Sequence, residues 1–511
     1  MNPDKAAQGE TALVSARGSE PLGTQGQGVP GSVHPWASMA CHVCERVTEV
    51  TLYVVVVFNP WVFGTTQSGA VRVMNGAGYL LGALLTAKLL VRWTMGFGPV
   101  AGHQSDRRKA VAGSSWPVSA MAVLTVLLLL YVLVGAVNAR AVFNVHQLTF
   151  EYFPCIAWLP HSYNRTVTWF EFWEYLGLAC TFWAARDWLR GTAARELPTE
   201  AIDVRLRRLL MVICITGALV GLEGIVQRSA GSDKLLFLVR PRFNPDAVNQ
   251  FGPYANRNNA AEYFNLIWPV CAGLAWLTAQ SATRARKDGR RRPGHAHVWL
   301  TFGTLITGVC PVMSSSRGGA LVSLAMAIVV LVVMLVIPRW VPARNKIGLG
   351  LLFAAALQGA VVLGWDNMQV RLETIFTDDL GGRLPVYREA AAMARDYPWL
   401  GSGAGTFASL YYLYNTDSSK EWAAYVHDDW LEFRITLGWI GFSLLLALLA
   451  GPGWHWFRGC GRPLPTLLAA LIGVALAGCL LHARFDFPFR VHSITTLFLL
   501  YCAILSGARR A

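Results

Sequence analysis

The sequence predicts an all-α, polytopic transmembrane protein with about twelve spans and one large loop outside the membrane. Three observations carry that reading. The 511-residue chain is 54% hydrophobic and only 14% charged. Apolar runs long enough to cross a hydrocarbon core of ~30 Å recur along most of its length. They lack the two-residue alternation of barrel strands, and in lipid only helices or closed barrels satisfy the backbone.

In chain order, residues 1–45 are rich in Gly, Ser, Gln and Ala without apolar periodicity, and read as a disordered cytoplasmic tail. The first apolar run begins too late for a cleavable signal peptide. Spans are expected near 47–64, 74–94, 117–137, 166–187 and 208–227, which make residues 46–230 a block of N-terminal transmembrane helices. Further spans are expected near 260–281, 297–314, 318–337, 347–365, 431–452, 464–481 and 489–506. A long polar loop, 366–430, interrupts this second block. The ten cysteines are scattered, and Cys41 with Cys44 forms a lone C-x-x-C without a second pair or a His ladder. No disulfide framework is indicated.

The net charge of +14 suggests nucleic acid, but its distribution argues for a lipid bilayer instead. Arg107-Arg108-Lys109, the Arg205 to Arg208 cluster, the run from Arg284 to Arg292, Arg339 to Lys346, Arg458 with Arg462, and Arg509-Arg510 fall in alternate connections. That is the positive-inside pattern. It puts both termini in the cytoplasm, requires an even number of spans and makes anionic lipid a partner.

The outward connections are then about 65–73, 138–165, 228–259, 315–317, 366–430 and 482–488. They hold Arg240, Arg242, the segment from Gly252 to Asn259, the turn Ser314 to Gly319, Arg383, Arg388, His427-Asp428-Asp429, His482, Arg484, Asp486 and Arg490. An outward Arg among apolar helices needs an anion or a carboxylate to offset its desolvation. One reading is structural, with Arg317 pairing to Asp428, Asp429 or Asp486. The other is an electropositive pocket for a phosphate-bearing substrate, which suits the Arg fork.

Within the long loop, Leu384, Tyr387 and Ala391 repeat at helical spacing and Pro398 follows, which predicts a short helix over 384–395. Gly401-Ser402-Gly403-Ala404-Gly405-Thr406 is either a tight turn or a backbone cradle for phosphate. No strand precedes it and no Gly-Lys-Ser/Thr follows, so it is no P-loop. His427 lies beside two acids near the start of a span, where a carboxylate can orient an imidazole as a base. Asp428 and Asp429 also suit a first helical turn.

These segments carry a family resemblance. Gly252-Pro253-Tyr254-Ala255-Asn256-Arg257-Asn258-Asn259 resembles the Gly-Pro-Phe-x-Asn-Arg-Asn segment of the bacterial O-antigen ligase and polymerase superfamily. Ser316-Arg317-Gly318-Gly319 resembles its Ser-Arg-Gly turn. Gly382-Arg383-Leu384 through Gly401-Ser402-Gly403 resembles the start of its periplasmic loop. His427-Asp428-Asp429-Trp430-Leu431-Glu432 resembles its His-Asn-Asp-Tyr-Leu-Glu segment, with Asp428 in place of the usual Asn. Asp486-Phe487-Pro488 resembles a late motif.

The resemblance implies a GT-C-like inner-membrane glycosyltransferase domain over 231–506, its active site facing the periplasm. It implies an inverting, metal-independent reaction without cofactors. The donor would be a glycan on undecaprenyl pyrophosphate, the acceptor a saccharide or lipid A-core hydroxyl. Arg317, and Arg242 by a less regular spacing, would bind the pyrophosphate, and His427 would serve the acceptor hydroxyl. Asn256, Arg257, Asn258, Arg383, Asp428, Asp429 and Arg484 complete the expected substrate-binding set. Two other classes remain open: a transporter, for which Glu223 is a candidate ionisable group, and a non-catalytic scaffold of polysaccharide export.

Overall fold

The structure is a computed structural model describing residues 35–94, 116–191, 202–242, 244–287, 294–336, 383–416, 423–458 and 462–510. The expected span at 347–365, most of the tail and the first part of the long loop lie outside these residues. Long helices form the body: α1 (Pro35–Trp61), α2 (Ser68–Thr94), α3 (Trp116–Val137), α4 (Arg165–Arg190), α5 (Val204–Ser229), α6 (Arg257–Lys287), α7 (Ala296–Met313) and α8 (Arg317–Val336). Two short helices of the long loop follow, α9 (Leu384–Asp396) and α10 (Phe407–Tyr411). Then come α11 (Asp429–Phe457), α12 (Thr466–His482) and α13 (His492–Gly507).

Five of these, α2, α3, α5, α7 and α11, are long and apolar enough to cross a membrane, and α8, α12 and α13 contribute shorter apolar helices. In the most apolar window of α2 and of α3 only 28% of residues are buried within the protein, so apolar side chains such as Leu80, Val126 and Leu130 point outward. In water such a surface would be costly, whereas lipid accepts it. The chain is a mostly helical integral membrane protein. Its main core runs from Leu52 to Ala508 and joins both blocks of helices.

The start of α1 and two strand pairs, one of them Arg462–Leu464 with Ala508–Arg510, differ from the sequence reading. Helix α1 starts at Pro35, inside the expected tail. Its Glu45 accepts from Lys88 at 3.0 Å and pairs with Arg205, while Lys88 also pairs with Asp187, which Arg92 holds at 2.7 Å. The Lys88 side chain is 2% exposed, so these partners offset a charge that would otherwise oppose folding. The cluster ties α1, α2, α4 and α5 at one end of the bundle. At the opposite end, the 138–165 connection forms an antiparallel hairpin, Ala141–Asn144 (β1) with Thr149–Tyr152 (β2), where an all-α fold leaves no strand. Asn144 shapes its turn by accepting from the His146 and Gln147 N–H groups.

Helix α11 is broken at Gly438, whose φ of 62° and ψ of −176° lie where only glycine is at ease. The break frees backbone groups, and the long loop takes them up. Ser402 N–H donates to Ile435 O and Gly403 N–H to Thr436 O, each at 3.0 Å. The Trp439 and Ile440 N–H groups donate to Pro398 O at 2.9 Å and Trp399 O at 3.2 Å. The Tyr131 hydroxyl of α3 donates to Leu437 O at 2.9 Å and to Leu400 O at 2.7 Å. The loop adds its own small core, in which Met393, Phe407 and Leu410 pack with Ile435 of α11.

A Cβ at Gly438 would also collide with Trp399 O. Gly438→Ala is therefore expected to destabilise the protein by roughly 1–3 kcal/mol from backbone strain alone, with the clash adding to it. A lowered thermal unfolding midpoint in bilayer discs would show this, and an unchanged midpoint would contradict the account of the break.

Candidate functional site

The site is built where the start of α11 meets the turn between α12 and α13. Asp428 caps α11 by accepting from the Leu431 N–H at 3.2 Å. Asp429 N–H donates to Ala483 O at 2.9 Å, and the Asp429 carboxylate accepts from Phe489 N–H at 2.9 Å. These bonds lace α11 onto residues 483–489 and bring Asp486 beneath His427. His427 Nδ1 lies 3.0 Å from Asp486 Oδ1, which also accepts from Phe487 N–H at 3.0 Å. Arg383, at the start of α9, sits 3.7 Å from the other Asp486 oxygen and donates to Phe485 O. Phe487 packs against the imidazole, and Tyr425 stacks on Phe487 at 4.4 Å.

His427 itself has φ +58°, a left-handed conformation that costs a β-carbon-bearing residue about 1 kcal/mol or more. The Tyr387 hydroxyl donates to its carbonyl at 3.0 Å and helps hold it there. With Nδ1 held by Asp486, the ring presents Nε2 as the atom available to a reacting group.

The imidazole's carboxylate is thus Asp486 and not the sequence neighbours Asp428 or Asp429. A left-handed residue just before a helix cap turns the chain, so the next two acids belong to the helix end. Asp428 pairs with Arg484 at 2.5 Å, and burial raises its pKa against the pull of the Leu431 N–H and Arg484. Asp486 is 4% exposed. Burial opposes its ionisation, but the His427 bond and the Arg383 charge outweigh burial and hold it at about 2, below the ordinary 3.8.

Arg317 opens α8 after the turn Ser314-Ser315-Ser316, where Ser315 is also left-handed at φ 62°. This turn docks on α6. Ser316 Oγ donates to Asn258 Oδ1 at 2.7 Å, Asn265 donates to Gly319 O at 3.0 Å, and a Cβ at Gly319 would clash with Ala261. On the other side, the Cβ position of Gly318 lies 3.6 Å from His482 Nε2, while His482 Nδ1 bonds Glu262. His482 ends α12, so the stretch 482–487 touches both the Arg317 turn and His427.

The remaining expected residues spread around this centre. Asn256 caps α6 by accepting from Asn258 N–H at 2.9 Å, and Arg257 donates to Asn249. Arg242 lies exposed on the connection between α5 and α6. Arg228, which the sequence did not single out, anchors that connection, donating to Gln250 O at 2.8 Å, to Ala247 O at 3.2 Å and to Ser314 O at 3.4 Å. Arg490, whose side chain is 10% exposed, bonds Glu171 at 2.7 Å and Glu432 at 2.8 Å, tying α4 to α11. In the glycine-rich segment, the Ser402 and Gly403 N–H groups bond the broken α11, so the turn reading describes it.

Residues 302–446 match the family model described as O-antigen ligase. The match runs from α7 to the second half of α11 and includes Arg317, Arg383 and His427. No curated protein matches the chain.

The depressed Asp486 carboxylate favours the folded state above its ordinary pKa, and this contribution fades as pH falls from 3.8 towards about 2. It amounts to about 2 kcal/mol. In unfolding midpoints measured from pH 7 down to pH ~2, Asp486→Asn is expected to remove part of the acid-dependent loss. Identical pH profiles would contradict this. Asp428→Asn retains a capping oxygen and is expected to cost little, whereas Asp428→Ala should cost about 1 kcal/mol. Equal losses in the two variants would refute the capping role.

Proposed function

We propose, from the match of residues 302–446 to the O-antigen ligase family model and from the geometry above, that this chain is an inner-membrane glycan-transfer enzyme of the ligase type with GT-C architecture. In this reading about twelve spans cross the membrane and the site faces the periplasm, a reading that the positive-inside charge pattern supports. It moves a glycan from undecaprenyl pyrophosphate to a hydroxyl of a saccharide or lipid A-core acceptor. The observation that carries this reading is the 482–487 stretch, which joins the His427–Asp486 pair to the Arg317 turn.

In the reaction, His427 Nε2 takes the acceptor hydroxyl proton as the oxygen attacks the anomeric carbon. The bond from that carbon to the pyrophosphate oxygen breaks on the opposite face, giving inversion. The electron pair leaves with the pyrophosphate, whose charge Arg317 stabilises, with Arg242 assisting. A guanidinium, which stays charged and can bond two oxygens at once, suits that task. Asp486 holds the imidazole in the tautomer that exposes Nε2 and stabilises its protonated form. Arg383 keeps Asp486 ionised, and Asn256, Arg257, Asn258, Asp428, Asp429 and Arg484 shape the surrounding site.

The test is glycan transfer by purified protein in vesicles supplied with an undecaprenyl-pyrophosphate glycan and a panel of acceptors. Wild type should form product. His427→Ala should lower the rate about 10²–10⁴-fold. Arg317→Ala should abolish transfer while leaving insertion and the unfolding midpoint near wild type. Normal transfer by either folded variant would sink the assignment.

A further inference from the structure

Beside the His427 turn, a cavity of about 480 Å³ runs between α2, α3, α4, α11 and α13. One stripe of α4 lines it: Val167, Glu171, Glu174, Leu178 and Phe182 recur at spacings of three and four and so share a helix face. The stripe is polar at the end near the long loop and apolar beyond it. Along α11 the wall extends from Glu432 to Pro452. Beyond the break at Gly438, the stretch to Pro452 is about 20 Å long at the α-helical rise, room for an extended hydrocarbon chain.

The two ends differ in chemistry. Leu178, Phe182, Met121 and Leu448 make the deep part apolar. The loop end gathers Glu171, Glu174, Glu432, Tyr175, Tyr425 and Arg490. Arg490 is the single cation among the described lining residues, and Glu171 and Glu432 already engage it at 2.7 and 2.8 Å. Glu174 adds a third carboxyl group. With its described cation already engaged, such an end gives a phosphate little to pair with, and it suits hydroxyl groups that bond to carboxyl groups and pack on tyrosine rings. Tyr425 stacks on Phe487, the ring that also packs against His427, so this end lies next to the candidate site.

We propose that this cavity binds a single-chain amphiphile with an uncharged, hydroxyl-bearing head. Its hydrocarbon chain occupies the apolar length and its head rests among Glu171, Glu174, Tyr175 and Tyr425. The site is separate from the Arg317 turn, where an anionic donor head belongs.

The experiment uses the full chain extracted into polymer-bounded native discs, which avoids glycoside detergents. Binding of a radiolabelled hexadecyl glycoside is compared with that of hexadecyl phosphate. The glycoside should bind saturably and at least about tenfold more tightly than the phosphate. Ala179→Trp, which fills the apolar half from α4, should abolish its binding while the unfolding midpoint is retained. Met121→Trp, on α3, gives a second blockade should the first variant fail to insert. Glu174→Lys should reverse the preference towards the phosphate.

Undiminished glycoside binding in either folded blocking variant, or preference of wild type for the phosphate, would overturn the proposal. Binding is read without any transfer reaction. A protein that binds the glycoside but transfers nothing would refute the proposed enzymatic role and leave this site standing.

Discussion

The constraint on which the rest of the structure depends is the repair of the α11 backbone at Gly438. Backbone N–H and C=O groups buried away from water must find partners, and an open break among packed residues is costly. Here the loop at 398–403 exchanges four backbone hydrogen bonds with the broken helix, and Tyr131 covers a further carbonyl. The loop is thereby part of the helix rather than an appendage to it. The first turns of α11, from Asp429 to Leu437, take a course of their own and present His427, Asp428 and Glu432 at the same end of the bundle.

Charge is distributed by the same logic. At one end, Glu45, Lys88, Asp187 and Arg205 form a compact ion cluster that closes the bundle. At the other, several ionisable groups near the candidate site are paired. Arg490 holds Glu171 and Glu432, His482 bonds Glu262, and Asp486 serves His427 and Arg383. Removing one member would leave an uncompensated buried charge. Such networks fix side chains within narrow limits, which the proposed transfer between two substrates requires. The left-handed residues His427 and Ser315 sit in this framework, where surrounding bonds hold conformations that the chain alone would avoid.

Much of this was legible in the sequence, and the exceptions have physical causes. Apolar runs mark α2, α3, α5, α7 and α11, and the spacing of Leu384, Tyr387 and Ala391 with Pro398 beyond marks α9. His427 and Arg317 stand out because titratable groups are rare beside apolar helices. The imidazole's partner was not legible: Asp486 lies 59 residues away, and adjacency pointed to Asp428 and Asp429 instead. Arg228 escaped notice because its task is to hold backbone carbonyls, which leave no sequence mark. The hairpin over 141–152 carries only a short strand signal, in Val142, Phe143, Thr149, Phe150 and Tyr152. The N-terminal reach of α1 depends on Glu45 finding Lys88 and Arg205, which composition alone does not reveal.

The most direct test of the central claim is a cryo-electron microscopy structure of the protein in a lipid disc with a non-hydrolysable undecaprenyl-pyrophosphate glycan analogue. The account predicts pyrophosphate density against the Arg317 guanidinium, with the anomeric carbon facing a space into which His427 Nε2 points. Donor density that engages other groups and leaves both Arg317 and His427 without contact would contradict it.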